Sequence, residues 1–271
     1  MTRRAHRAER DGRSIHWSST GMGPALILVP GLGAGIQLFG TLPRRFEREG
    51  FRALTVDPVG VEPSSPLTGT FRFEDAADDL IAVLDAAQVP SVALVGTSLG
   101  GKVALTCAVR HPDRVQALVL LASAAAVSVR ARRVYRYFAA IADNVPTERF
   151  ADAVAPFLFG RSFHDARPQL VDDIARAMRP TPERRALMLA QLRALESTDL
   201  ADLARHVDVR TLCLAGEEDT LTCAADVETT ANLIRGAEFA VVPKAGHSLL
   251  LEQPETFSRV VAFLREGTAR P

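Results

Sequence analysis

The chain has 271 residues, 47% hydrophobic and 24% charged, with 32 basic side chains balanced by 32 acidic ones. A neutral balance without a basic block excludes the electrostatic footprint of a nucleic-acid or anionic-membrane binder, and no apolar run approaches the ~20 residues of a membrane span. The length suits one large α/β domain or two small ones, and the composition is that of an ordinary globular protein.

In chain order, residues 1–13 are arginine-rich with no apolar run behind them, which is not the pattern of a secretory leader. Asp11-Gly12 between two short runs reads as a hairpin turn leading into Ile15-His16-Trp17. Apolar runs follow at 25–29, 52–56, 92–95, 117–121, 211–215 and 239–242. They are apolar throughout rather than alternating, as expected of parallel strands covered on both faces. Amphipathic stretches at 39–49, 74–88, 102–110, 224–235 and 255–266 lie between or after them, the last opened by Pro254. The expected fold class is α/β: a doubly wound, mostly parallel sheet.

One segment breaks the alternation. Residues 124–206 carry only helical patterns, punctuated by Pro146, Pro156, Pro168, Pro180 and Pro182. So long a stretch exceeds what a crossover between neighbouring strands needs, and it reads as a helical cap, leaving 1–123 and 207–271 as the core domain. Most of the cap's aromatics are expected to pack within it or on the core. Phe138, Phe157 and Phe159 are the candidates to reach a substrate, because ligands of open α/β sheets bind at the carboxyl ends of the strands. Arg130, Arg132, Arg133 and Arg136 read as a solvated face. Cys107, Cys213 and Cys223 form an odd set without metal-ligand spacing, so reduced thiols, a cytoplasmic location and no metal are expected.

The chemistry centres on Gly96-Thr97-Ser98-Leu99-Gly100, which follows the run at 92–95 and opens a helix. Glycines on both flanks allow a corner tight enough to push the serine hydroxyl out at the top of the sheet. A serine nucleophile needs a histidine base oriented by a carboxylate. Of six histidines, His6 lies in the N-terminal tail, His16 in the hairpin, His111 at a helix end, His164 in the cap and His206 before a strand. His247 alone follows a strand and so shares the carboxyl edge with Ser98. Gly216-Glu217-Glu218-Asp219 supplies the acid by the same test; Asp219 is the better placed, and Glu218 stays open. The Leu99 N–H, and the Leu32 N–H from Pro30-Gly31-Leu32-Gly33-Ala34-Gly35, are the candidate oxyanion donors. Gly31-x-Gly33 superficially mimics a dinucleotide loop, but Ile36 occupies the third glycine position and Pro58 follows Asp57, so no nucleotide cofactor is expected.

Val29-Pro30-Gly31-Leu32-Gly33, the loop from Asp57 to Ser65, Gly96 to Gly101, Gly216 to Asp219, and Gly246-His247 through Glu252-Gln253-Pro254-Glu255 recur in one order. On these five motifs the chain resembles the α/β-hydrolase superfamily over essentially its whole length. It departs from the usual pattern at Pro30, where histidine is common, and in the Asp57–Ser65 loop, which lacks the usual arginine and second glycine. The resemblance implies the order Ser98, Asp219, His247 of a serine hydrolase. It looks like the capped esterases and enol-lactonases, acting on a carboxylic ester or lactone of a small molecule without a cofactor. The same residues also serve lyase, cyclase or thioesterase steps in this superfamily, and a non-catalytic ligand-binding relative is the third reading.

Overall fold

The computed structural model describes residues 4–268. Strands β1 (Arg4–Arg10) and β2 (Arg13–Thr20) form the hairpin expected from Asp11-Gly12. Both turn residues have positive φ (49° and 73°), which Asp-Gly supplies readily. His6 is part of β1 rather than a frayed tail: it faces Trp17 across the pair, and the two rings stack with centroids 4.4 Å apart.

The other strands are β3 (Ala25–Val29), β4 (Arg52–Asp57), β5 (Val92–Thr97), β6 (Val115–Leu121), β7 (Arg210–Gly216) and β8 (Glu238–Val242). The sheet order is β1-β2-β4-β3-β5-β6-β7-β8, antiparallel from β1 to β4 and parallel from β4 to β8. Each expected run falls inside its strand, within two residues of the observed ends. Alternate side chains feed two cores. Ile27 and Val29 join helices α2 (Phe73–Ala86), α3 (Leu99–Arg110) and α10 (Ala224–Leu233) on one face. Leu26 and Leu28 join α1 (Leu42–Arg48) and α12 (Pro254–Thr268) on the other. The stretch expected to be helical over 39–49 divides, because Gly40 turns the chain at φ 45° and Pro43 suits only a first helical turn. Since β3 lies between β4 and β5, the connections leaving β3 and β5 part at their carboxyl ends and open a crevice there.

Between β6 and β7 the chain forms six helices: α4 (Val129–Asn144), α5 (Thr147–Leu158), α6 (Arg161–Ala166), α7 (Pro168–Ala177), α8 (Pro182–Ser197) and α9 (Ala201–Ala204). The two ends of this insert are stapled at Ala125. Its carbonyl accepts from Leu200 N (3.1 Å) and Lys102 Nζ (2.9 Å), and its N–H donates to Thr230 Oγ1 (2.8 Å). Arg132 and Arg136 tie α4 to Glu196 of α8, and Arg130 reaches the carbonyls of Thr220 and Leu221. These three arginines are therefore struts rather than a merely solvated face. No helix among the described residues is long and apolar enough to cross a membrane.

Lys102 is buried beneath that staple, and its desolvation lowers its pKa from 10.5 to about 8, against the raising influence of Asp199 and Asp226. Below pH 8 the folded and unfolded chains both carry the proton, and the fold bears the full desolvation cost. As pH rises from 8 to 10.5 the folded chain releases the proton first, so stability from this group increases by about 3 kcal/mol. Urea unfolding of the wild type minus that of Lys102→Met should thus rise by about 2 kcal/mol between pH 7 and 10. A pH-independent difference would contradict this.

Candidate active site

Ser98 is the single residue between β5 and α3. It stands at φ 55°, ψ −119°, a conformation non-glycine residues adopt only when their surroundings enforce it, at a cost of about 1–3 kcal/mol. Its N–H donates to Leu121 O (2.9 Å), and its carbonyl accepts from Ser123 Oγ (2.8 Å) and Gly101 N (2.9 Å). The elbow also needs Gly100: a Cβ there would run into the carbonyl oxygens of Val29 and Pro30. That close approach brings the loop after β3 against the first turn of α3.

The connections after β7 and β8 meet at the same edge of the sheet. Glu217 N and Glu218 N donate to Val242 O (3.0 Å) and Ala245 O (2.8 Å), folding the histidine loop over the end of β7. His247 Nδ1 lies 2.8 Å from Asp219 Oδ2, both side chains buried. Asp219 Oδ1 accepts from Leu221 N (2.8 Å) and Thr222 N (2.9 Å), which fixes the carboxylate. With Nδ1 tied to a carboxylate, Nε2 is left as the basic atom of the ring. Ser98 Oγ has no hydrogen-bond partner among the described residues. The structure thus joins His247 to Asp219 and sets Ser98 at the same edge without a Ser98–His247 bond, as apo sites commonly do.

Glu218, the open alternative, is engaged elsewhere. Its two oxygens accept from Ser162 N (2.7 Å) and Ser162 Oγ (2.5 Å) at the start of α6. Burial pushes its carboxyl up, but the Ser162 donors outweigh that and hold it below its ordinary value. In the loop after β3, Gly33 N donates to Gln191 Oε1 (2.8 Å), Ala34 N to Gly31 O (3.1 Å) and Ile36 N to Asp57 Oδ1 (2.8 Å). Leu32 N and Leu99 N have no acceptor among the described residues. Asp57 is itself anchored, with Oδ2 2.7 Å from His16 Nδ1 and its carbonyl accepting from Ser64 Oγ (2.6 Å). The unusual Asp57–Ser65 loop is in this way coupled to the loop that carries Leu32.

The three phenylalanines expected to meet substrate pack against other parts of the chain. Phe159 turns into a satellite core of the insert with Phe163 and Val171, stacked on Phe163 at 5.6 Å, because the backbone at Phe159–Gly160 packs directly on Gly246. Phe138 and Phe157 meet edge to face at 5.3 Å on the main core. None of the three lines the cavity beside Leu99. Among the described residues no group of three His, Cys, Asp or Glu side chains has the arrangement to hold a metal ion.

Sequence reasoning assigned no role to Glu252, in α11 (Leu249–Glu252). Its Oε2 accepts from Gly160 N (2.8 Å) and Gly246 N (2.7 Å), and its Oε1 from Ser248 N (2.9 Å). One buried carboxylate therefore fixes both flanks of His247 and the start of α6. Burial raises its pKa above the ordinary value, while the three donors pull the other way. Glu252→Ala strands three N–H groups and is expected to cost about 3 kcal/mol in urea unfolding. It should also lower kcat more than it raises KM, with Glu252→Gln restoring part of both. An unchanged melt and unchanged kcat would contradict this role.

Comparisons with known proteins agree with this architecture. Residues 24–254 match the model of the alpha/beta hydrolase fold family. A Klebsiella pneumoniae protein provisionally named the carbamate hydrolase RutD is 26% identical over 246 residues, spanning 90% of this chain and 91% of its own. A thermophilic esterase from Thermogutta terrifontis superimposes with a TM-score of 0.84 at 25% identity, covering 98% of this chain and 99% of its own. The enol-lactonase of Burkholderia xenovorans LB400 shares the fold with a TM-score of 0.86 at 23% identity, over 96% and 100% of the two chains.

Proposed function

The chain belongs to the α/β-hydrolase family, and from that premise we propose that it is a serine hydrolase cleaving a carboxylic ester or lactone of a small molecule. The observation that carries this reading is the buried His247–Asp219 pair at 2.8 Å, on the same sheet edge as a serine held at φ 55°. In the proposed reaction Ser98 Oγ attacks the carbonyl carbon as His247 Nε2 takes its proton. Asp219 keeps the other ring proton on Nδ1 and stabilises the imidazolium. The Leu32 and Leu99 N–H groups receive the oxyanion, each contributing a few kcal/mol to the transition state. His247 then returns its proton to the leaving alkoxide, and water, activated by the same nitrogen, releases the acid from Ser98.

Residues 124–206 act in this reading as a cap. Its support lies in the two bonds that join insert to core beside the reacting groups, Gln191 to Gly33 and Gly160 to Glu252. A second reading, carbamate hydrolysis, draws on the name given to the Klebsiella relative; the same groups would serve, with the nitrogen on the acyl side, so that Ser98 carries a carbamoyl group until water releases it. Turnover of a panel of nitrophenyl esters, lactones and nitrophenyl carbamates separates these. Esters or lactones fastest supports the proposal, carbamates fastest favours the second reading, and no turnover on any class opposes both.

A further inference from the structure

A cavity of about 60 Å³ opens beside the loop that carries Leu32. Gly31 and Leu99 line it, and Val59, Leu67 and Phe71 are among its apolar walls. A water-sized site takes ~10–15 Å³ on this measure, so there is room for a group of about four or five non-hydrogen atoms. Gln191 of α8 also faces the cavity and is 1% exposed. Its Oε1 is occupied by Gly33 N, and its Nε2 has no acceptor among the described residues. Its two amide N–H groups are thus available to an acceptor in the adjoining cavity.

The ligand that fits is neutral. The charged groups in its lining are already paired: Arg13 with Asp79 (3.4 Å), Asp75 with Arg10 (3.7 Å) and Arg72 with Glu74 (3.6 Å). The direction of the cavity tells which part of a substrate enters it. It is built from the connections after β3 and β4 and from α2 and α3, whereas His247 follows β8, on the other side of β5 in the sheet. The leaving group takes its proton from His247 and so departs on that side. The acyl portion, which stays attached to Ser98 through both half-reactions, is left for the cavity. Nε2 lies within about 5 Å of Gly33 N, from the 2.8 Å bond plus the ~2.3 Å span of an amide. An acceptor bonded to it therefore lies close to the loop that carries Leu32 N.

We propose that this cavity is the acyl subsite and that Gln191 makes the enzyme selective for short, neutral acyl groups bearing a second hydrogen-bond acceptor, such as a ketone oxygen. This rests on the reading of Ser98 as nucleophile. The test compares nitrophenyl pentanoate with nitrophenyl 4-oxopentanoate, each rate divided by that ester's hydroxide rate. Wild type should favour the oxo ester by about tenfold in kcat/KM. Gln191→Glu keeps an acceptor for Gly33 N–H but loses the donor, and Gln191→Met loses both; each should bring the ratio close to one. Leu67→Trp, which fills the cavity, should move the optimum to acetate esters. Turnover with an oxo preference absent from wild type, or unaltered in both Gln191 variants, overturns the subsite alone. Absence of ester turnover together with absence of fluorophosphonate labelling in wild type overturns the nucleophile reading and the subsite with it.

Discussion

Ser98→Ala should reduce kcat on the best ester by about 10⁴-fold or more, while leaving the unfolding midpoint near that of the wild type. The size follows from the role: without Oγ no acyl-enzyme forms, and only the oxyanion donors and binding remain to accelerate attack by water. The fold should tolerate the change, since the bonds that hold residue 98 are made by its backbone N–H and carbonyl, to Leu121 and from Ser123 and Gly101. Alanine retains them, though it must still occupy φ 55°. A residual rate within tenfold of wild type, in protein of unaltered stability, would contradict the nucleophile assignment.

Asp219→Asn should have an effect of the same order, about 10⁴-fold on kcat, and Glu218→Gln only a few-fold one. The difference lies in what each carboxylate faces. Asp219 Oδ2 accepts the Nδ1 proton of His247, which leaves Nε2 free to take a proton from Ser98. In the Asp219→Asn variant the new side chain must keep its carbonyl oxygen for Leu221 N and Thr222 N. Its NH₂ then turns to Nδ1 and forces the proton onto Nε2, the wrong tautomer for a base. Glu218 is spent on Ser162 in α6. Its loss should loosen the start of that helix and leave the imidazole where it is. Steady-state kinetics of the two variants on one ester decide this, and equal losses would contradict the assignment.

Much of the fold was legible because its signals are local. Apolar runs without alternation marked the strands of a doubly covered sheet, Asp11-Gly12 marked the hairpin, and the flanking glycines marked the elbow at Ser98. The expected edge of the sheet also fell out of strand order alone, which is how His247 could be picked from six histidines. Separating Asp219 from Glu218 required knowing that Ser162, 56 residues away in the chain, engages Glu218. Gln191 meets Gly33 at a separation of 158 residues and Glu252 meets Gly160 at 92, and no pattern in the chain announces either pairing. The packing of Phe159 is hidden for the same reason: an aromatic in a helical insert reads alike whether it faces a pocket or, as here, packs in a second small core. His6 looked like tail because a charged edge strand carries no apolar run.

Whether Ser98 is an activated nucleophile is decided by covalent labelling with a fluorophosphonate, read by the mass of the intact chain and by mapping the modified peptide. One adduct per chain is expected, on Ser98, absent in Ser98→Ala and strongly slowed in His247→Ala. A wild-type chain that takes up no label, or takes it up equally in Ser98→Ala, would contradict the assignment.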